Sequence, residues 1–344
     1  IAQRLDLYII LRPGSYICAE IDFGGLPGWL LKDNNIKIRT NDHLYLSKVD
    51  RFFDKLLPII KPYLSTNGGK IIAMQVENEY GAYGNDKSYL EYLRDGYIKR
   101  GIDVLFFTSD NPEHHMLKGG MLDDCLMTLN FGSGAKERFP ILDTYQKEAP
   151  YFCMEFWIGW FDTWGGKHNK TCAKDAANEL DEILSMGGHV NIYMFHGGTN
   201  FGFTNGSNKD HSLFMPTVSS YDYDALLDEA GDPTPKYYLF QDVISKYVDF
   251  EKEEIVITPK KNYGIVQLTE QASLFDNLIN LSEKTESITT LSMEDLNQDM
   301  GYIHYNTFIE GPFKKHKLTI HKLADRAYVY INKKFYKKIN KRCN

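Results

Sequence analysis

Short apolar runs recur along the first two thirds of the chain, and each ends in polar residues or glycine. Six of them have the length and character of a buried strand, at residues 7–14, 70–80, 103–110, 125–132, 151–157 and 190–198. Amphipathic stretches that predict helices separate several of these runs, as at residues 89–101 and 172–188. Apolar strands alternating with helices predict a parallel sheet that is covered on both faces.

The polar strand ends distinguish between two parallel architectures. No G-x-G-x-x-G sequence follows the first strand, which disfavours a dinucleotide-binding fold. In a (β/α)8 barrel, polar residues at the carboxyl ends of different strands form the active site, and this chain has that pattern. We therefore predict an α/β fold of the TIM (β/α)8 type as a catalytic domain over residues 1–255.

The pattern changes near residue 256 to short alternating strands with no long helix between them. The segments are EIVITP, YGIVQLT, YIHYNTFIEG, HKLTIHKL and RAYVYINKKFY. They predict a β-rich accessory domain over residues 256–344, of a sandwich or jelly-roll type. Because the last strands end abruptly, we expect this all-β domain to be partial.

Composition excludes some classes of partner. The net charge is −7, and the locally basic end, KKFYKKINKRCN, is interpreted as a solvated terminus, which argues against nucleic acid as a partner. No apolar run approaches the roughly 18 residues of a membrane span. Five cysteines lie far apart without metal-ligand spacing, so we expect no metal site and a reducing, cytoplasmic location, with a lysosomal or secreted location as the alternative. We also expect no organic cofactor. The oligomeric state is left open.

The second strand ends in two carboxylates, in the sequence IIAMQVENEYGAYG. In a regular strand Gln75, Glu77 and Glu79 would share one face, with Glu79 nearest the carboxyl rim. Asn78 would reach the same site only if the strand end bends or bulges. Two interpretations remain open: a solvated edge, or a catalytic acid with a supporting neighbour.

A further carboxylate, Glu155, ends the fifth strand in YFCMEFWIGWFDTWGG. A glutamate within an apolar aromatic run is costly unless it is paired or functional, so a buried structural ion pair is the alternative to catalysis. Two carboxylates on different strand ends, beside aromatic side chains, are typical of glycoside hydrolysis. One would be the general acid and the other the nucleophile or base, and the residues alone do not assign these roles.

Five long motifs resemble the glycoside hydrolase family 35 β-galactosidases, and the EFWxGW pattern resembles bacterial members. They are RPGSYICAEIDFGGLPGWLL, GGKIIAMQVENEYGAYG, EFWIGWFDTWG, NIYMFHGGTNFGF and SSYDYDALLDEAGDPTPKY, in family order. The resemblance implies a retaining exo-β-galactosidase that removes terminal β-linked galactose from oligosaccharides or glycoconjugates. It implies that Glu79 is the proton donor and Glu155 the nucleophile, with Glu77 in a supporting position.

The resemblance also implies a galactose pocket. Its residues would be Cys18, Ala19, Glu20, Asn78, Tyr193, Tyr221 and Tyr223. Glu20 would accept hydrogen bonds from sugar hydroxyls, and Asn78 would hold the 2-hydroxyl. We expect Trp157 and Trp160 to form a stacking platform for the sugar beyond the cleaved bond, with core packing as the alternative.

Two departures from the family pattern modify these expectations. The family reads EWEFGGLP where this chain reads EIDFGGLP, so Ile21 and Asp22 alter one wall of the pocket. The family also places two barrel strands before LYIILRPG, and we expect a barrel that lacks them, in a fragment of a longer protein. The alternative functions are a retaining exo-glycosidase for another terminal sugar and a non-catalytic galactoside-binding fragment.

Overall fold

The computed structural model describes residues 1–210, 213–312 and 314–340. Six strands form one parallel sheet in the order of the chain. They are β1 (Ile9–Leu11), β2 (Ile71–Gln75), β3 (Leu105–Asp110), β4 (Leu126–Phe131), β5 (Phe152–Trp157) and β6 (His189–Tyr193). Each of the six predicted strands is confirmed. The sheet is an open half-barrel, part of a TIM barrel, with β1 and β6 as its two edges.

Helices cover the outer face of this sheet. The main ones are α1 (His43–Ile60), α3 (Lys87–Lys99), α4 (His114–Gly120), α6 (Ala173–Ser185) and α7 (Pro235–Ile244), with single turns at α2 (Tyr80–Tyr83) and α5 (Ala135–Arg138). A further single turn, α8 (Leu278–Leu281), has no buried residue. Short 3-10 helices span Ala2–Leu5, Asp22–Gly25, Gly28–Lys32, Lys61–Tyr63, Ser65–Asn67, Phe139–Thr144 and Phe275–Asn277. The helices predicted over 89–101 and 172–188 are confirmed as α3 and α6.

Helix α1 illustrates why these segments fold as they do. The Asp42 side chain accepts a hydrogen bond from the Leu44 amide and so caps the first turn. Val49, Phe53 and Leu57 follow at helical spacing and are buried against the sheet. Burying each such side chain contributes about 1.5–3 kcal/mol.

The inner face of the sheet is apolar at its floor and polar at its rim. Ala73, Phe107 and Met154 form a small buried cluster on this side. Two residues further along their strands, Gln75 and Ser109 are also buried but polar. Because parallel strands bring their carboxyl ends to one edge, this rim collects the functional side chains.

The β-rich region predicted after residue 256 is confirmed as a short β region, but four of its five predicted strand segments are wrong. The segment RAYVYINKKFY lies in an antiparallel hairpin of β9 (Arg326–Ile331) and β10 (Lys334–Asn340), and a second hairpin pairs β7 (Ser207–Asp210) with β8 (Leu213–Pro216). The other four predicted segments, at 254–259, 263–269, 302–311 and 316–323, contain no strand. Their apolar side chains, such as Leu268, are exposed, and a strand needs both a hydrogen-bonded neighbour and a face to bury. The domain division at 255/256 stays a prediction.

Among the described residues, no helix combines the length and the apolar character that crossing a membrane requires.

Candidate active site

A β-bulge in β5 turns Glu155 towards the inner face. Cys153 pairs with Val190 of β6 and Phe156 pairs with Ile192, so β5 has one extra residue between these pairs. Cys153 and Phe156 both pack in the outer core, whereas the two residues between them, Met154 and Glu155, both lie on the inner side of the sheet. The Asn191 side chain donates a hydrogen bond of 3.0 Å to the Met154 carbonyl. Glu155 is 8% exposed.

Donors surround the Glu155 carboxylate. The Arg12 guanidinium, directly after β1, forms an ion pair with one carboxylate oxygen. Trp157 Nε1 donates to the other oxygen at 3.0 Å. Arg12 also donates to Asn78 Oδ1 at 2.6 Å and to Gln75 Oε1. Charge-assisted bonds of this kind stabilise an ionised carboxylate, which is the form a nucleophile needs.

The end of β2 departs from the regular strand that the sequence predicted. The strand ends at Gln75, and Glu77 and Glu79 have φ of 58° and 47°, in the left-handed region. The prediction that Gln75, Glu77 and Glu79 share a face is therefore wrong. Because the backbone bends here, Asn78 reaches the inner side, where its Oδ1 accepts from Arg12 and, at 3.1 Å, from Gln75.

Glu77 lies on the other side of this bend, in the outer core. Its two oxygens accept from Arg39 Nε and Nη2, both at 2.8 Å, and Oε1 also accepts from the Tyr89 hydroxyl at 3.1 Å. Arg39 donates in turn to the Asn78 carbonyl at 2.9 Å. Glu77 therefore anchors the backbone that carries Asn78 and Glu79, which fits a supporting role.

Glu79 lies beside Glu155 at the rim. The Asn130 side chain donates to Glu79 Oε1 at 2.8 Å, and Asn130 is also the residue of β4 that pairs with Glu155 of β5. The Glu79 amide donates to the Ser109 carbonyl at 3.1 Å. Burial raises the pKa of Glu79 to about 7, and the negative charge of Glu155 adds to this effect. A carboxyl group that keeps its proton near neutral pH is what a general acid requires.

The residues predicted to bind galactose come together on one side of this pair. Tyr221 donates its hydroxyl to Glu20, and Cys18 Sγ lies 3.9 Å from the other Glu20 oxygen. Burial raises the pKa of Glu20, with the charge of Glu155 contributing. Cys18, Ala19 and Glu20 have consecutive positive φ values of 62°, 57° and 49°, a strained arrangement of the kind that clusters at functional sites.

Aromatic rings continue this wall. The Tyr193 and Tyr221 hydroxyls lie 3.1 Å apart, and Tyr223 packs against both rings with centroid separations of 5.4 Å. Trp160 contacts Trp157 edge-on at 5.7 Å between centroids and is 43% exposed. The Trp160 ring therefore presents a surface to solvent close to Trp157, which contacts Glu155. The roles given to these residues stay predictions.

Sequence reasoning missed Arg12 and Asn130. Each is a polar residue near the carboxyl end of an apolar strand, so the rule that singled out Glu79 and Glu155 would also have selected them. Among the described residues, no group of three or more His, Cys, Asp or Glu side chains is arranged to hold a metal ion.

One polar atom of this site has no hydrogen-bond partner among the described residues. Asn78 Nδ2 is buried and has no hydrogen-bond partner among the residues that the structure describes. Leaving a buried donor unpaired costs about 1–3 kcal/mol, so such an atom calls for an acceptor from outside the chain. Oδ1 of the same side chain accepts a hydrogen bond from Arg12, which also contacts Glu155, so this donor lies near the Glu155 carboxylate.

A known protein family matches most of this chain. The family model "Glycosyl hydrolases family 35" matches residues 1–247. The chain belongs to this family. As a family 35 glycosidase it also carries, over residues 290–344, a match to "Beta-galactosidase, first all-beta domain". The short β region of the fold lies within that second match.

Several curated relatives of this family 35 chain are named as β-galactosidases. "Beta-galactosidase" of Xanthomonas manihotis is 42% identical over 341 residues, covering 97% of this chain and 56% of that protein. "Beta-galactosidase 1" of Dictyostelium discoideum is 39% identical over 358 residues, covering 96% and 53%. "Beta-galactosidase" of Bos taurus is 39% identical over 345 residues, covering 96% and 52%. The chain spans about half the length of these relatives, and its bacterial character and location stay predictions.

Proposed function

We propose that this chain is a retaining exo-β-galactosidase that works by double displacement. Glu155 attacks the anomeric carbon, and Glu79 gives its proton to the leaving oxygen. Glu79 then takes a proton from water, and that water releases galactose from Glu155. The observation that carries this assignment is the unequal environment of the two carboxyl groups: the pKa of Glu79 is raised to about 7, whereas Glu155 is ion-paired with Arg12.

Galactose is supported as the substrate by the names of the relatives and by the polar wall. Glu20, with Tyr221 and Tyr193, supplies a hydrogen-bonding set for sugar hydroxyls. The unpaired donor Asn78 Nδ2 would bind the 2-hydroxyl, whose hydrogen bond strengthens in the transition state. The substrate would be a β-galactoside oligosaccharide or glycoconjugate.

The experiment is a panel of nitrophenyl glycosides with the full chain: the β-galactoside, the β-glucoside and the N-acetyl-β-glucosaminide. We expect turnover of the β-galactoside alone, and a loss of more than about 10³-fold in Glu155→Gln. Glu91→Gln is the matched control, because Glu91 is exposed on α3. Proton NMR of the product should show β-galactose forming first.

Each part of the proposal can fail separately. Preferential cleavage of a different glycoside would refute the substrate. Turnover that survives in Glu155→Gln would refute the nucleophile. An α-anomer as the first product would refute retention.

A further inference from the structure

Asn111 lies directly after β3, at the rim that carries the two carboxyl groups. Along β3, Ser109 faces the inner side and donates to Asn130 Oδ1 at 2.6 Å. Asp110 faces the opposite side, where it accepts from the Gly81 amide at 2.7 Å. Pro112 follows Asn111, and a residue before proline favours an extended backbone. An extended backbone at this residue would continue the alternation of the strand and put Asn111 on the side of Ser109.

The side chain of Asn111 has an unused acceptor. Its Oδ1 is buried and receives no hydrogen bond from any residue that the structure describes. A buried amide oxygen without a donor is unfavourable, and sugar hydroxyls are donors that could supply the bond. Asn78 and Asn111 each follow a strand that ends at the active-site rim, Asn78 after β2 and Asn111 after β3.

The position of Asn111 indicates which part of the substrate it meets. The galactose wall is built from Cys18–Glu20 after β1, Tyr193 of β6 and the segment 221–223. Asn111 follows β3 in the middle of the sheet, and β3 borders the acid because the Glu79 amide donates to the Ser109 carbonyl. The acid protonates the oxygen that joins galactose to its leaving group. A residue beside the acid and away from the galactose wall therefore faces the leaving group.

We propose that Asn111 binds the leaving group, by accepting a hydrogen bond from a hydroxyl of the sugar that follows the terminal galactose. This inference rests on the proposed β-galactosidase function. It assigns the site a preference for galactosides whose leaving group is itself a sugar with a free hydroxyl next to the linkage, over galactosides of simple phenols.

The test compares two substrates in one variant. The kcat/KM of the full chain and of Asn111→Ala is measured on a galactosyl disaccharide and on nitrophenyl β-galactoside, whose leaving group has no hydroxyl to donate. We expect Asn111→Ala to lower kcat/KM for the disaccharide by about 3- to 10-fold, the worth of one hydrogen bond. For the nitrophenyl substrate we expect a change of less than about 2-fold.

Asn67→Ala is the matched control, because Asn67 precedes β2 at the opposite end of the sheet and is exposed. It should change neither rate. Thermal unfolding supplies a second readout: Asn111→Ala should melt no lower than the parent chain, since the lost oxygen made no bond within the protein. A structural role would instead lower the melting temperature and both rates together.

The outcomes separate the two proposals. If the parent chain cleaves neither galactoside, the proposed function fails and this inference fails with it. If the parent chain cleaves both, but Asn111→Ala affects the two substrates equally or leaves the disaccharide rate unchanged, only the role of Asn111 is refuted.

Discussion

Replacing Glu79 by glutamine removes an ionisation that burial opposes. Unfolded, this carboxyl group titrates near its ordinary pKa of 4.5, whereas in the folded protein its pKa is raised to about 7. One pKa unit corresponds to about 1.4 kcal/mol, so the shift represents at most about 3 kcal/mol. Glutamine keeps an oxygen that can accept the hydrogen bond from Asn130 Nδ2. The substitution therefore changes the charge with little change in shape.

The sign of the effect follows from proton binding. Below pH 4.5 Glu79 is protonated in both states, and it adds no pH dependence. Between pH 4.5 and about 7 the unfolded chain releases the proton while the folded protein keeps it, so the parent protein loses stability as pH rises. Glu79→Gln has no such loss. Relative to the parent, we expect the variant to gain about 2–3 kcal/mol of unfolding free energy between pH 4.5 and pH 8.

Urea unfolding at several pH values across this window measures the difference directly. Glu91→Gln, on the exposed face of α3, controls for the loss of one surface charge and should show a flat difference. A flat difference for Glu79→Gln as well, within about 0.5 kcal/mol, would show that Glu79 titrates as an ordinary carboxyl group. The reasoning that makes it the acid would then be refuted.

Three further substitutions test other parts of the site. Arg12→Lys keeps the charge but loses the planar guanidinium that contacts three side chains. We expect kcat on the β-galactoside to fall by about 10²-fold with little change in melting temperature, and an unchanged kcat would contradict this. Glu77→Gln leaves Arg39 buried without its counter-charge, so urea unfolding should show a free energy of unfolding lower by about 3–5 kcal/mol. A decrease below about 1 kcal/mol would argue that Glu77 does not anchor this backbone segment. Gly159→Ala would place a Cβ 1.7 Å from the Tyr223 carbonyl oxygen, so KM for galactosides should rise, and an unchanged KM would show that this loop is free to move.

The sequence predicted the half-barrel well because buried parallel strands are continuous apolar runs, and such runs have few other uses. It predicted Glu79 and Glu155 because carboxylates are costly at the end of an apolar strand. It could not predict that Glu77 turns into the outer core, since this depends on a left-handed backbone that no residue type at that position requires. Four of the strand predictions after residue 256 were wrong for a different reason. Alternation makes a strand possible, but Leu268 and its neighbours have no partner strand and no covering layer among the residues that the structure describes.

The bulge in β5 has a consequence for how this strand can change. Cys153 and Phe156 keep their places in the outer core although three residue steps, instead of an even number, separate them. Other apolar side chains could replace Cys153 and Phe156 on the face that packs against the helices. Deleting one residue between these two would remove the bulge, and Met154 and Glu155 could then no longer both face the inner side. The number of residues in β5, more than the identity of its apolar side chains, therefore keeps Glu155 on the inner face of the sheet.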